Sequence, residues 1–140
     1  MLLASLLDLT ASPEILEPLA EALRDHPNCT AFTYQAKEVC SGVISAQRLH
    51  IELQEKKLCS TDELAAIAGN LAGELNLSSK AVSLVDSVLQ DLAAAEARVH
   101  RFGLHSHEIA SLGTLFDVMG SALILDKRGF LDGTIYATPP

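Results

Sequence analysis

The stretch His105–Lys127, HSHEIASLGTLFDVMGSALILDK, decides the fold. From about His107 onward its apolar residues fall on nearly every side of a helix, whereas a surface helix keeps one polar face. A helix of that kind needs cover all round, so the rest of the chain must supply it. Lys127-Arg128-Gly129 ends the helix, placing cations at the negative end of its dipole and a glycine where a left-handed cap forms.

Upstream, Ala81, Val85, Val88, Leu92, Ala95 and Val99 alternate four and three positions apart, which predicts the longest amphipathic helix from near Ser79. Before it, Ser60-Thr61-Asp62-Glu63 matches a capping box and starts a helix that runs to about Glu74. Thr30 to Val39 is β-branched and aromatic, and Val43 to Leu53 alternates through Ile44, Ala46, Leu49, Ile51 and Leu53. These two segments predict an antiparallel strand pair about a Cys40-Ser41-Gly42 turn. Nearer the start, Leu2, Leu3, Leu6, Leu7 and Leu9 predict a short apolar helix. Ser12-Pro13-Glu14 opens a second, with serine as cap and proline in the first turn, and the DHPN stretch from Asp25 to Asn28 stops it. Thr134 to Ala137 reads as a last short strand, stopped by Thr138-Pro139-Pro140.

No internal repeat and no linker divides the sequence, so residues 1–140 are expected to form one domain. The fold class is α+β: a small, mainly antiparallel sheet with about five helices packed on it, the last long helix buried.

The composition narrows the function. Hydrophobic residues make up 49% of the 140 and charged residues 20%, which suits a folded chain with a core. Aromatics are only 4%, so aliphatic side chains must fill that core. Asp and Glu number 18 against 10 Lys and Arg, a balance that argues against a nucleic-acid partner. The apolar opening MLLASLLDL has no basic flank and meets Asp8, so neither a signal peptide nor a membrane span is expected. Cys29, Cys40 and Cys59 are odd in number and openly spaced, as reduced cytoplasmic thiols are. Glycine-rich phosphate loops, a GxSxG elbow and an HExxH motif are all missing.

One cluster could carry chemistry: His100, His105, His107, Glu108 and Asp117. If residues 104–107 are extended, His105 and His107 point to the same side and their imidazoles converge. If the segment is helical they stand roughly 200° apart and do not. Imidazole with carboxylate suits nickel, zinc or iron alike. The plainer alternative makes Ser106 a helix cap and Glu108 a complement to the helix dipole, with both histidines solvated. Gly113, Asp117 and Gly120 share one stripe of the apolar helix, where another backbone could come close. A carboxylate buried there must find donors or a cation, either a structural hydrogen bond or an ion.

The segments AEARVH (Ala95–His100), HSHEIASLGTLFDVMGSA (His105–Ala122) and the closing IYATPP resemble the signature of the LarC family of nickel-insertion proteins. LLDLTASPEIL near the start and VISAQRLHIEL in the second strand agree in order, so the resemblance covers residues 1–140. Family members insert nickel into a pyridinium bisthiocarboxylate mononucleotide at the expense of CTP, giving the nickel-pincer cofactor. The resemblance implies that His105, His107, Glu108 and Asp117, with His100 ahead of them, are metal-binding residues.

The sequence departs from the family pattern in four places. It opens within the first helix rather than with a strand and glycine-rich turn, and QEKKLC replaces a histidine-rich segment. Ser106 replaces an apolar or aromatic residue, and Gly113 stands where an acid is usual. A second half associated with the nucleotide would follow Pro140, so the domain is expected to be truncated relative to the family and CTP is not expected to bind to this chain alone. Two functions follow from the resemblance. The first is a nickel-handling domain of cofactor biosynthesis, using a separate nucleotide-binding partner and meeting a nucleotide-type precursor. The second is a non-catalytic binding or adaptor subunit of a protein complex or homo-oligomer.

Overall fold

The computed structural model describes residues 2–10, 12–56, 60–99, 110–134 and 136, without the side chains of 41 and 99. The order is α1 (Leu2–Thr10), a 3-10 turn (Pro13–Leu16), α2 (Glu17–Arg24), β1 (Cys29–Ser41) and β2 (Ile44–Glu55). There follow α3 (Thr61–Glu74), α4 (Ser79–Val99), α5 (Leu112–Lys127) and a 3-10 turn (Phe130–Asp132). Five helices and a two-stranded antiparallel sheet among the described residues make this an α+β fold.

Helix α5 is the hub, as its all-round apolarity requires. Leu112, Leu115, Phe116, Met119 and Ile124 are completely buried. Helices α1, α2, α3 and α4, the 3-10 turn before α2, and strand β2 all pack against it. The inner sheet face supplies Phe32, Tyr34 and Ala36 from β1 opposite Leu53, Ile51 and Leu49 from β2. Phe116 of α5 meets Phe32 edge-on at 4.9 Å and Tyr34 at 5.5 Å. With four Phe and two Tyr in the whole chain, this one meeting point gathers half of its aromatic rings. Edge-to-face pairs add about 0.5–1.5 kcal/mol each beyond area burial, so the scarce rings are placed where they lock sheet to helix.

The hairpin turns one residue later than the sequence reading placed it. Ser41 pairs with Ile44, leaving Gly42 and Val43 as the loop. Gly42 has φ +63° and Val43 is not left-handed, the pattern of a type II′ turn, which needs glycine at its first central position. Beyond the core the hairpin tip is bare, with Val43 fully exposed and Ile44 69% exposed.

Further expectations are corrected in detail. Ser12 occupies the cap position, but its hydroxyl donates back to the Thr10 carbonyl at 3.1 Å instead of capping, and Pro13 opens a 3-10 turn that passes into α2. Ser60 does cap α3, accepting from the Glu63 amide at 3.1 Å. The seam of α4 is buried at Ala81 and Val85, half-buried at Val88 and Leu92 and exposed at Ala95, so the helix outruns the core. Thr134 and Tyr136 lie in no strand, and the other residues of the expected last strand are outside the described set.

The C-terminal end of α5 is fastened by polar contacts. Ser78 donates its amide to Asp126 at 2.9 Å and its hydroxyl to the same carboxylate, while accepting from the Ala81 amide as the cap of α4. Ser78 thereby holds the Asp126 carboxyl below its usual range. Lys127 donates to the Leu75 and Asn76 carbonyls at the end of α3, at 3.2 and 3.3 Å. Neighbouring side chains of α5 therefore hold both sides of the α3–α4 turn.

The two glycines of the α5 stripe respond differently to a side chain. A Cβ at Gly120 would stand 3.2 Å from Leu3 and Leu16, both buried, whereas one at Gly113 would meet Leu53 at an ordinary 3.4 Å. Gly120→Val is expected to destabilise by about 1–3 kcal/mol through overpacking. Gly113→Ala is expected to be neutral or to stabilise by up to about 1 kcal/mol through helix propensity. Urea denaturation midpoints of the two variants check both signs.

Candidate functional site

The site is built on the N-terminal half of α5. The helix begins at Leu112, capped by Ser111, whose hydroxyl accepts from the Thr114 amide at 3.0 Å. A second acceptor comes from the end of β2: Glu55 Oε2 receives the Leu112 amide at 2.7 Å. A carboxylate at that position satisfies an otherwise free donor and meets the positive end of the helix dipole. This double cap explains why the helix starts five residues after the expected His107; Ala110 and Ser111 are not helical.

Asp117 lies six residues beyond Ser111, about 9 Å along the helix axis. It occupies the sector of α5 that the other elements cover least, flanked along its stripe by Gly113 and Gly120. The stripe is approached by side chains rather than by another backbone: Leu53 of β2 at Gly113, and Leu3 of α1 with Leu16 of the 3-10 turn at Gly120. The expected fully buried carboxylate is not found. Asp117 is exposed, and among the described residues it has no hydrogen bond or ion pair.

Two grooves meet at this carboxylate. One, of about 300 Å³, runs between α1 and α4 over α5 and is almost wholly apolar, with Leu2, Leu84, Val88, Val118 and Ser121 around Asp117. The other, of about 360 Å³, lies between α1 and β2, where Gln47 and Arg48 accompany Asp117 beside Leu49 and Ile51. The apolar walls strip enough water from Asp117 to raise its carboxyl above the ordinary range.

Of the sequence-predicted ligands, the structure places Asp117 alone; His100, His105, His107 and Glu108 lie outside the described residues. Among the described residues no three His, Cys, Asp or Glu side chains gather where they could hold an ion. The other two histidines are spent elsewhere. His26 Nδ1 accepts from the Asn28 amide at 3.2 Å, and His50 lies 3.4 Å from Glu52 on the outer sheet face. Burial pushes the Cys29 thiol up, so it is a poor source of thiolate at neutral pH, and Cys40 is exposed.

Sequence reading missed three participants. Glu55 serves the cap of α5 from 57 positions away, a distance that leaves no local signal. Arg48 is an ordinary outward strand residue until α1 places a groove beside it. Glu17 binds Arg24 at 2.7 Å and Tyr34 at 3.0 Å. Arg24 first and Tyr34 second lower the Glu17 carboxyl, while burial and then Glu17 push the Tyr34 hydroxyl up to about 12. Arg24 also donates to the Phe32 carbonyl at 3.2 Å, so this trio ties α2 to β1 under the aromatic cluster.

Two outcomes are expected of substitutions at this half of α5. Glu55→Ala, measured by urea denaturation, should lose about 1–3 kcal/mol, the worth of a charge-assisted hydrogen bond to a helix N-terminus. Asp117, with its folded carboxyl raised, contributes stability that is complete below the ordinary carboxyl value of about 4 and is lost as pH rises through the raised value. Asp117→Asn should therefore raise the melting temperature at neutral pH and give no gain in acid below that value, read from thermal melts across the carboxyl range.

Comparison with known proteins agrees with this frame. The family model described as nickel insertion protein matches residues 1–140. Curated proteins named for nickel insertion are similar to the chain. One from Syntrophobacter fumaroxidans is 28% identical over 132 residues, covering 92% of this chain and 32% of the relative. One from Geotalea uraniireducens is 29% identical over 115 residues, covering 79% and 28%. One from Myxococcus xanthus is 26% identical over 143 residues, covering 100% and 35%. The chain thus spans about a third of the length of these relatives. No solved structure matches. With the match extending over every residue of the sequence, the chain belongs to the nickel insertion protein family.

Proposed function

We propose that this chain is a nickel-handling domain for assembly of the nickel-pincer nucleotide cofactor, holding the ion as cargo through His105, His107, Glu108 and Asp117, with His100 close in sequence. Family membership over residues 1–140 carries this reading. The geometry of α5 supports it. The HSHE segment immediately precedes the doubly capped start of the helix in sequence, and Asp117 two turns on is an acid with no bonded partner among the described residues. A carboxylate on a rigid helix, with imidazoles contributed by the preceding segment, is a donor set suited to nickel.

The chain's own residues would bind and position the ion. The CTP-dependent part of nickel insertion falls, in this proposal, to a separate nucleotide-binding partner in the cytoplasm. A second reading, an adaptor subunit that kept the fold without the metal, is favoured by the exposed apolar side chains of α1, Leu2 and Leu9.

Isothermal titration with nickel separates the two. Wild type should bind the ion, and His105→Ala with His107→Ala should weaken binding by about tenfold or more, as loss of metal-site groups does. Asp117→Asn should weaken it in the same direction. No nickel binding by wild type above background, or equal binding by the double variant, sinks the metal reading and leaves the adaptor.

A further inference from the structure

The apolar groove on the α4 side of Asp117 is a surface that the metal reading uses only at that carboxylate. Helices α1 and α4 both pack on α5 yet scarcely touch each other, and the groove is the gap between them. Its walls are Leu2 of α1 and Leu84 and Val88 of α4, and its floor is formed by Val118, Ala122 and Leu125 of α5. Leu9 lies seven residues after Leu2, about 20° away on the α1 wheel, and continues the same wall. Leu2 is 61% exposed and Leu9 71%, so large apolar side chains stand in water along this edge. Contiguous exposed apolar surface of this kind marks an interaction site.

Charge indicates what covers it. Among the described residues Asp117 is the only charged side chain lining the groove, and Asp91, seven positions after Leu84, continues that side of α4 as an exposed acid. Among the described residues no lysine or arginine lines it. A second copy would bring the same net charge of −8 against these acids, with Asp8 exposed on its own α1. The walls and floor are helices and offer no free strand edge, so an added strand would find no main-chain partners.

We propose that this groove seats an amphipathic helix of a partner protein, apolar along positions i, i+3, i+4 and i+7 and carrying lysine or arginine beside that face. The apolar face fills the space between α1 and α4, and in the metal-free protein the cations meet Asp117 and Asp91. Such a seat is the groove-binding mode by which helices are recognised elsewhere, with charge at the rim selecting the partner.

The test uses the whole chain and two designed helical peptides with the same leucine face, one flanked by lysines and the other by glutamates. Fluorescence anisotropy should show the lysine peptide binding about tenfold or more tightly than the glutamate peptide, with the difference shrinking at high salt. Leu2→Glu and Val88→Glu should each weaken the lysine peptide by about tenfold or more. Leu2 is largely exposed, so its substitution keeps the fold, as circular dichroism will register. Leu2→Ser, which removes the apolar wall without placing a carboxylate beside Asp117, should also weaken the lysine peptide while its nickel titration matches wild type, which keeps this result separate from the metal reading. Equal affinity for the two peptides, no binding of either, or unchanged binding after both substitutions overturns the proposal. A dimer seen in sedimentation that Leu2→Glu dissolves also overturns it, by giving the groove to a second copy.

Discussion

Everything in this structure depends on covering α5. A helix that is apolar on every side cannot sit at a surface, because each uncovered aliphatic side chain left in water forfeits about 1.5–3 kcal/mol. The chain meets this demand with pieces from along its length. Helices α1 and α2 and the sheet close one side, and α3 and α4 close the other. Few of these contacts are aromatic, so the cover is made mainly by leucines and alanines, with the Phe32–Phe116–Tyr34 group as its ring cluster among the described residues. Gly120 belongs to the same logic, since the absence of a side chain lets Leu3 and Leu16 close over the helix.

Polar groups fix the ends of the hub rather than its middle. Ser111 and Glu55 take the first amides of α5, and Asp126 and Lys127 reach across to the caps of α4 and α3. Each contributes about 1–3 kcal/mol, and together they set the axial position of α5 among its neighbours. The exposed ion pairs, Arg24–Glu17 and Lys80–Asp132, are screened by solvent and add little by comparison. Arg24 matters more through its hydrogen bond to the Phe32 carbonyl, which occupies the outer edge of β1.

The candidate site is where the cover stops. Helix α1 leaves a gap on either side, one toward α4 and one toward β2. Asp117 stands between the gaps, desolvated by apolar walls yet still reaching water. Our nickel proposal places the ion at this acid, and our docking proposal seats a helix in the gap toward α4. No helix among the described residues is long and apolar enough to cross a membrane.

Much of this was legible in the residues. Periodicity alone located the two strands and the helices, because side-chain spacing and burial obey the same period. The Ser60 cap and the Gly129 stop are local chemistry, written within a few positions of where they act. The motif HSHEIASLGTLFDVMGSA likewise announced the family without any fold. What periodicity could not supply was partnership between distant residues. The sequence reading started α5 too early because Glu55, 57 positions back, is what completes its cap. It expected an apolar helix to be covered nearly all round, and only the packing around α5 shows that Asp117 lies in an uncovered sector. Local spacing therefore determined which elements form and which face is apolar. Tertiary structure decided which carboxylate is left without a partner, because that depends on the shape of the space between elements, and no stretch of sequence encodes it by itself.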